Sequence, residues 1–88
     1  MPSEIYHLAF VLRSKNRKAI VKQLVQGRKT QAQLHLATGL YRTHVRRSLL
    51  ELVEKGLVKC LNPKDRIYKF YELSEKGKSV AKQVDGNE

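Results

Sequence analysis

The sequence predicts an α+β fold that is mostly α, and three observations carry that reading. Helix-type apolar spacing recurs in four successive segments before residue 56. From residue 57 the pattern turns strand-like, in two runs rich in Val, Ile, Tyr and Phe around an Asn-Pro loop. A last amphipathic segment follows Ser74. Four helices, two strands and a closing helix fit one domain, which is also the expectation for 88 residues.

The elements follow in order. Pro2-Ser3 opens the chain, with Ser3 as the expected N-cap. "EIYHLAFVLR" carries Ile5, Leu8, Ala9 and Leu12 on one helical stripe and Tyr6 and Phe10 on a second. A strand is the alternative, but a run of about ten residues behind a capping residue favours a helix within residues 1–13. Ser14 caps the next helix, "KNRKAIVKQLVQG", whose stripe is Ile20, Val21, Leu24 and Val25, with Gly27 as its stop. Thr30 and Gln33 have capping-box spacing and start a short helix, "QAQLHLAT", which Gly39 ends. Leu40 and Tyr41 bridge to a longer helix over residues 42–55, stopped by Gly56. "LVKCL" (57–61) and "IYKFYEL" (67–73) are the expected strands, with "NPKDR" (62–66) as their turn. The closing helix is expected from Glu75 to Val84 and the tail 85–88 to fray, which leaves 14–84 as the core of a single domain 1–88.

Composition narrows the partners. Lys and Arg number 18 against 8 Asp and Glu, a net charge of +10, and such an excess favours an anionic partner: DNA, RNA or a membrane surface. No apolar run approaches the ~18 residues of a membrane span; Leu8 to Leu12 is too short even for most signal-peptide cores. Cys60 is the one cysteine, so no intrachain disulfide and no Cys-rich zinc cluster can form, and a reducing, cytoplasmic setting fits. No nucleophile motif, phosphate loop or dinucleotide fingerprint is present, and Glu51 and Glu54 have no pocket to frame them as an acid–base pair. The expectation is a non-enzyme without cofactor, metal or evident small-molecule ligand.

Two helices joined by a tight turn at Gly39-Leu40-Tyr41, followed by a basic hairpin, make a winged helix-turn-helix: an N-terminal helix, a three-helix core, a two-stranded wing and a C-terminal helix. In the second helix of the pair, Val45, Leu49, Leu52 and Val53 form the stripe that faces the core. Thr43, His44, Arg47, Glu51 and Glu54 point away from it, and Arg42 and Arg46 flank it. This helix is charged backwards, with bases in its first turns and acids in its last. A recognition helix contacts base edges with its N-terminal residues, so the reversed charge suits an external anion rather than the helix itself.

The stretch from "LATGLYRTH" to "SVAKQV" resembles archaeal winged-helix transcription regulators of the broad ArsR/MarR-like group. The resemblance rests on "TGL" at the turn, "THVRRSLLELVEKGLV" through the recognition helix and "YELSEKGK" after the wing, and "SKNRKAIVKQL" is similar to the helix that backs the motif. It covers about residues 14–84 and implies double-stranded DNA as partner. By position it implies Tyr41, Arg42, Thr43, His44, Arg46 and Arg47 as the DNA-facing set, with Lys64, Asp65 and Arg66 at the wing tip. The sequence departs from that group twice. Tyr41 stands where a Ser or Thr cap is usual, which leaves the helix start without a side-chain cap. His35 stands where a small residue lets the two helices approach, so either the helices splay or His35 points outward in a register shifted by one.

Other residues have plainer readings. His7, His35 and His44 lie on three elements and read as ordinary histidines, Cys60 as a buried small apolar residue, and Tyr68, Phe70 and Tyr71 as core packing on at least one face. Bases also lie outside the reading helix, at Arg13, Lys15, Arg17, Lys18, Lys22, Arg28 and Lys29. That spread keeps open an alternative, a winged-helix module that binds RNA or a protein complex. A domain of this size buries only about 60% of its unfolded surface. The apolar N-terminal helix is therefore expected to pair with a second copy through residues 4–13, with Val80 and Val84 adding to the same interface.

Overall fold

The computed structural model describes residues 2–86, with side chains from Ile5 onward. Its elements run α1 (Pro2–Leu12), α2 (Lys15–Leu24), β1 (Lys29–Thr30), α3 (Gln31–Thr38), α4 (Arg42–Glu54), β2 (Val58–Cys60), β3 (Phe70–Leu73) and α5 (Glu75–Gly86). This is the mostly helical winged-helix architecture, with a sheet of three strands where two were expected. The added strand is β1, whose Lys29 and Thr30 pair antiparallel with Tyr71 and Phe70. Two residues are too few to carry a strand period. On the other edge of β3, Val58, Lys59 and Cys60 face Leu73, Glu72 and Tyr71.

Local chemistry sets most boundaries. Ser14 Oγ accepts the Arg17 N–H at 3.2 Å and opens α2. Thr30 and Gln33 form the full capping box, at 3.1 and 2.8 Å, and open α3. Gly39 and Gly56 end α3 and α4 in the left-handed region, both at φ 75°. Several boundaries differ from expectation: α2 already ends at Leu24, short of Gly27, and β2 spans Val58–Cys60 rather than 57–61. α1 begins at Pro2, so Ser3 lies inside the first turn rather than ahead of it; proline's fixed φ suits it to a first helical position. α4 ends at Glu54, with Lys55 as its C-cap. α5 continues through Asp85 and Gly86, and residues 87 and 88 of the expected frayed tail lie outside the described residues.

α2 lies at the centre, packed on α1, α3, α4 and α5. Its Ile20, Val21 and Leu24 join Val11, Leu34, Leu49, Leu52, Leu57 and Leu73 in the core. Val25 was expected in that stripe; it caps the helix C-terminus instead and is 52% exposed. α4 also departs from its expected stripe, since Val53 drifts to the surface while the small Ser48 is buried. Val80 and Val84 are fully covered within their own domain, so they are not available to a dimer interface.

The base of the hairpin is locked to α5. Ser74 N–H donates to Leu57 C=O at 3.0 Å, its hydroxyl donates to Gly56 C=O at 2.6 Å, and Ser74 Oγ in turn accepts the Gly77 N–H at 3.0 Å. A Cβ on Gly77 would stand 1.9 Å from the Leu57 carbonyl oxygen, so only glycine permits this approach. "KGLV" and "YELSEKGK" are two halves of one joint that fixes the direction in which the wing leaves the core.

Candidate nucleic-acid interface

The turn between α3 and α4 is held from both sides at one residue. Thr38 Oγ1 donates to Leu34 C=O at 2.7 Å and accepts the Leu40 N–H at 3.2 Å. His35 Nδ1 lies 2.6 Å from Leu40 C=O; the carbonyl can only accept, so this nitrogen carries the proton. The two readings left open for His35 are thereby resolved. Leu34 takes the core position, and the half-buried His35 closes the turn rather than wedging between the helices.

α4 divides along its length. Val45, Ser48, Leu49 and Leu52 are buried. Arg42, Thr43, Arg46 and Arg47 are exposed on its first half, and His44 is half-buried. Tyr41 occupies the N-cap position without a side-chain cap and is 74% exposed, its ring edge-on to His44 with centroids 5.7 Å apart. The acidic second half has an internal partner. Glu51 was read as pointing away from the core; its Oε1 in fact lies 3.2 Å from Arg17 Nε on α2. Arg17 also donates to Phe10 C=O at 2.7 Å and stacks over the Phe10 ring at 3.8 Å. The last turns of α4 are therefore acidic partly because α2 supplies a base to hold them.

The wing is built by two polar side chains. Asp65 Oδ1 accepts the N–H groups of Ile67 and Tyr68, each at 2.9 Å. Asn62 accepts the Phe70 N–H at 2.8 Å and donates from its amide nitrogen to Tyr68 C=O. These bonds divert residues 67–69 from the ladder, and the strand expected over 67–73 begins only at Phe70. The bond from Tyr68 N–H, then that from Ile67, holds the Asp65 carboxyl below its usual range, so its charge stays committed to the loop.

Between wing and α4 lies a cleft of about 370 Å³. Arg42 and Arg46 line one wall and Arg66, Ile67, Tyr68 and Lys69 the other, with Tyr71 between; no acid lines it among the described residues. Burial pushes the Tyr71 phenol above its ordinary value, and Cys60 adds to this while Arg46 opposes it, so the hydroxyl remains a neutral donor. The structure thus brings Arg42, Arg46 and Arg66 to one cleft. Tyr41, Thr43 and Arg47 stand on the exposed face of the turn and helix, and Lys64 at the exposed wing tip. Lys69 was missed as a cleft residue; its polar position between Tyr68 and Phe70 was the available signal. Tyr68 is 66% exposed rather than packed, Phe70 and Tyr71 are half-buried, and so is Cys60, which was expected to be buried.

No group of three or more His, Cys, Asp or Glu side chains able to hold a metal ion occurs among the described residues. No helix among them is long and apolar enough to cross a membrane.

No protein-family model matches the chain. A copper-transporting ATPase of Helicobacter pylori is 33% identical over 78 residues, which are 89% of this chain and 10% of that protein. The chain spans about a tenth of the length of that relative, so the match concerns a segment of the ATPase and not its transport activity. Among solved structures, the transcriptional repressor BigR from Xylella fastidiosa superposes with a TM-score of 0.80 at 25% identity, over 94% of this chain and 81% of that one. A homodimeric winged helix-turn-helix DNA-binding domain from Mycobacterium bovis, a possible ArsR-family transcriptional regulator, gives 0.71 at 23% identity, over 96% and 74%. The structural neighbours are winged-helix transcriptional regulators of the MarR and ArsR kinds, some of them longer than this chain, which covers 54% of one MarR-family regulator. BigR and the Mycobacterium bovis domain come from bacteria, whereas the sequence resemblance pointed to archaeal regulators.

Proposed function

We propose that this chain is a cytoplasmic, non-enzymatic transcriptional regulator that binds double-stranded DNA by sequence. In this reading α4 enters the major groove and the wing lies on the flanking backbone or minor groove. One observation carries it: Arg42, Thr43, Arg46 and Arg47 are exposed on the first turns of α4, beside a cleft lined by Arg66 and Lys69 and, among the described residues, by no acid. Tyr41, His44 and Lys64 complete the proposed contact set. A groove-sized helix with its cations at the leading end favours duplex DNA over RNA, although bases are also spread over other faces.

Selection of bound duplexes from a random pool supplies the operator for the test. Arg47→Ala and Thr43→Ala should then weaken operator binding more than binding to random DNA, by the ~1–3 kcal/mol of a good base contact. Equal losses on both would mean that these residues touch phosphate alone. Structured RNA that outcompetes the operator would overturn the duplex reading.

The regulator is further proposed to act as a homodimer through α1, within residues 4–13. Val11 is turned fully into the core, whereas Ile5 and Tyr6 are 68% and 74% exposed on the same helix. A two-fold pair would set two reading helices roughly 34 Å apart. Sedimentation of the full chain and of an Ile5→Glu, Tyr6→Glu variant decides this: a monomeric wild type at micromolar concentration rules it out.

A further inference from the structure

The wing tip carries an apolar pair that neither the fold nor the charge pattern uses. Ile67 is 79% exposed and Tyr68 66%. They are not on a loose loop. Both backbone N–H groups are held by Asp65, the carbonyl of Tyr68 is held by Asn62, and the Asp65 N–H donates to Asn62 C=O at 3.0 Å. Such bonding fixes the backbone and so reduces the ordering cost of any contact these side chains make. Cations stand on every side: Lys64, Arg66 and Lys69 on the wing, with Arg42 and Arg46 across the cleft that Ile67 and Tyr68 themselves help to line.

An occupant that satisfies both features must be polyanionic and must also offer apolar surface within reach of the same loop. A duplex groove does so, because phosphate rows run along its rims and deoxyribose edges along its walls. Proteins that enter the minor groove combine bases with apolar side chains in this way. We infer that Ile67 and Tyr68 are minor-groove contact residues, packing on sugar and base edges while Arg66 and Lys64 engage the flanking phosphates. This rests on the duplex reading above and adds to it a salt-independent part of the affinity, supplied by the wing.

The test uses the full chain and the selected duplex, with binding followed by fluorescence anisotropy across a range of salt. Ile67→Ala with Tyr68→Ala should weaken binding about tenfold or more, because apolar contact area is lost. The slope of log K against log salt should stay at the wild-type value. Lys64→Ala with Arg66→Ala should instead flatten the slope by about two units. Saturating the duplex with a minor-groove-binding polyamide should abolish the difference between the Ile67/Tyr68 variant and wild type. Unchanged affinity in that variant overturns the inference and leaves the duplex reading standing. A wild type that binds no duplex even at low salt overturns the duplex reading itself. A variant that sediments as a smaller species than wild type places a second copy of the chain over the pair and also overturns the inference.

Discussion

Positive charge gathers at two places in this molecule and is handled in opposite ways. Behind α4, Arg17 meets Glu51 at 3.2 Å, the Phe10 carbonyl at 2.7 Å and the face of the Phe10 ring at 3.8 Å. In front of it, Arg42, Arg46, Arg66 and Lys69 line a cleft to which no acid contributes among the described residues. The first gathering is neutralised from within and joins α1, α2 and α4. The second is left for something outside. A chain that needed its bases only for solubility would have no reason to separate the two so sharply on either side of α4.

The largest expected effect comes from the internal site. Arg17→Met keeps most of the apolar stem but removes every polar bond of the guanidinium. The Arg17 side chain is 18% exposed and that of Glu51 38%, so screening discounts the pair. Hydrogen bonds to charged groups are still worth enough that a loss of about 1–2 kcal/mol is expected in urea unfolding. A second change, Glu51→Leu, should return part of that loss, because removing both partners leaves no orphaned charge. If Arg17→Met leaves stability unchanged, the contrast between the two sites collapses.

Arg42→Ala with Arg46→Ala sharpens the same comparison from the other side. Both are exposed, and Arg42 begins a helix whose dipole disfavours it by ~0.3–1 kcal/mol. The double change should leave unfolding within about 0.5 kcal/mol of wild type, or make the protein slightly more stable. Duplex binding should fall and its salt slope should flatten by about two units. Stability lost here on the scale of Arg17 would mean that these bases also serve the fold.

The two sites differed just as much in how legible they were. The exposed set on α4 could be read because it depends on helical period and caps, which are local. The Arg17–Glu51 bond could not, since its partners lie 34 residues apart and each looks like an ordinary surface charge. His35 stayed ambiguous for a related reason: its role depends on the Leu40 carbonyl, whose direction exists only once the turn has formed. Ser48 reads as polar and is nevertheless buried, and nothing in its own type or spacing says so. In α1 the stripes compete, and nothing local says that Val11 rather than Ile5 enters the core. Residues 67–69 look like strand, but Asp65 and Asn62 captured their backbone first.

The smallest effect tests the internal site at its edge. His7 on α1 is half-buried, and its Nδ1 is shut off from solvent with no hydrogen-bond partner among the described residues. Burial lowers its pKa from the ordinary 6.5, and the charges of Lys76 on α5 and Lys55 after α4 lower it further. With the folded pKa depressed, the unfolded chain binds the proton more readily than the folded one. His7 therefore leaves stability undiminished above about pH 6.5 and reduces it as pH falls from there towards the folded pKa, below which the loss is complete. Unfolding free energies at pH 7.5 and pH 5 should differ more in wild type than in His7→Gln, which cannot take up a proton. The same acid slope in both proteins would show that a proton on His7 costs nothing beside Lys76 and Lys55, and that the α1–α5 face tolerates another cation.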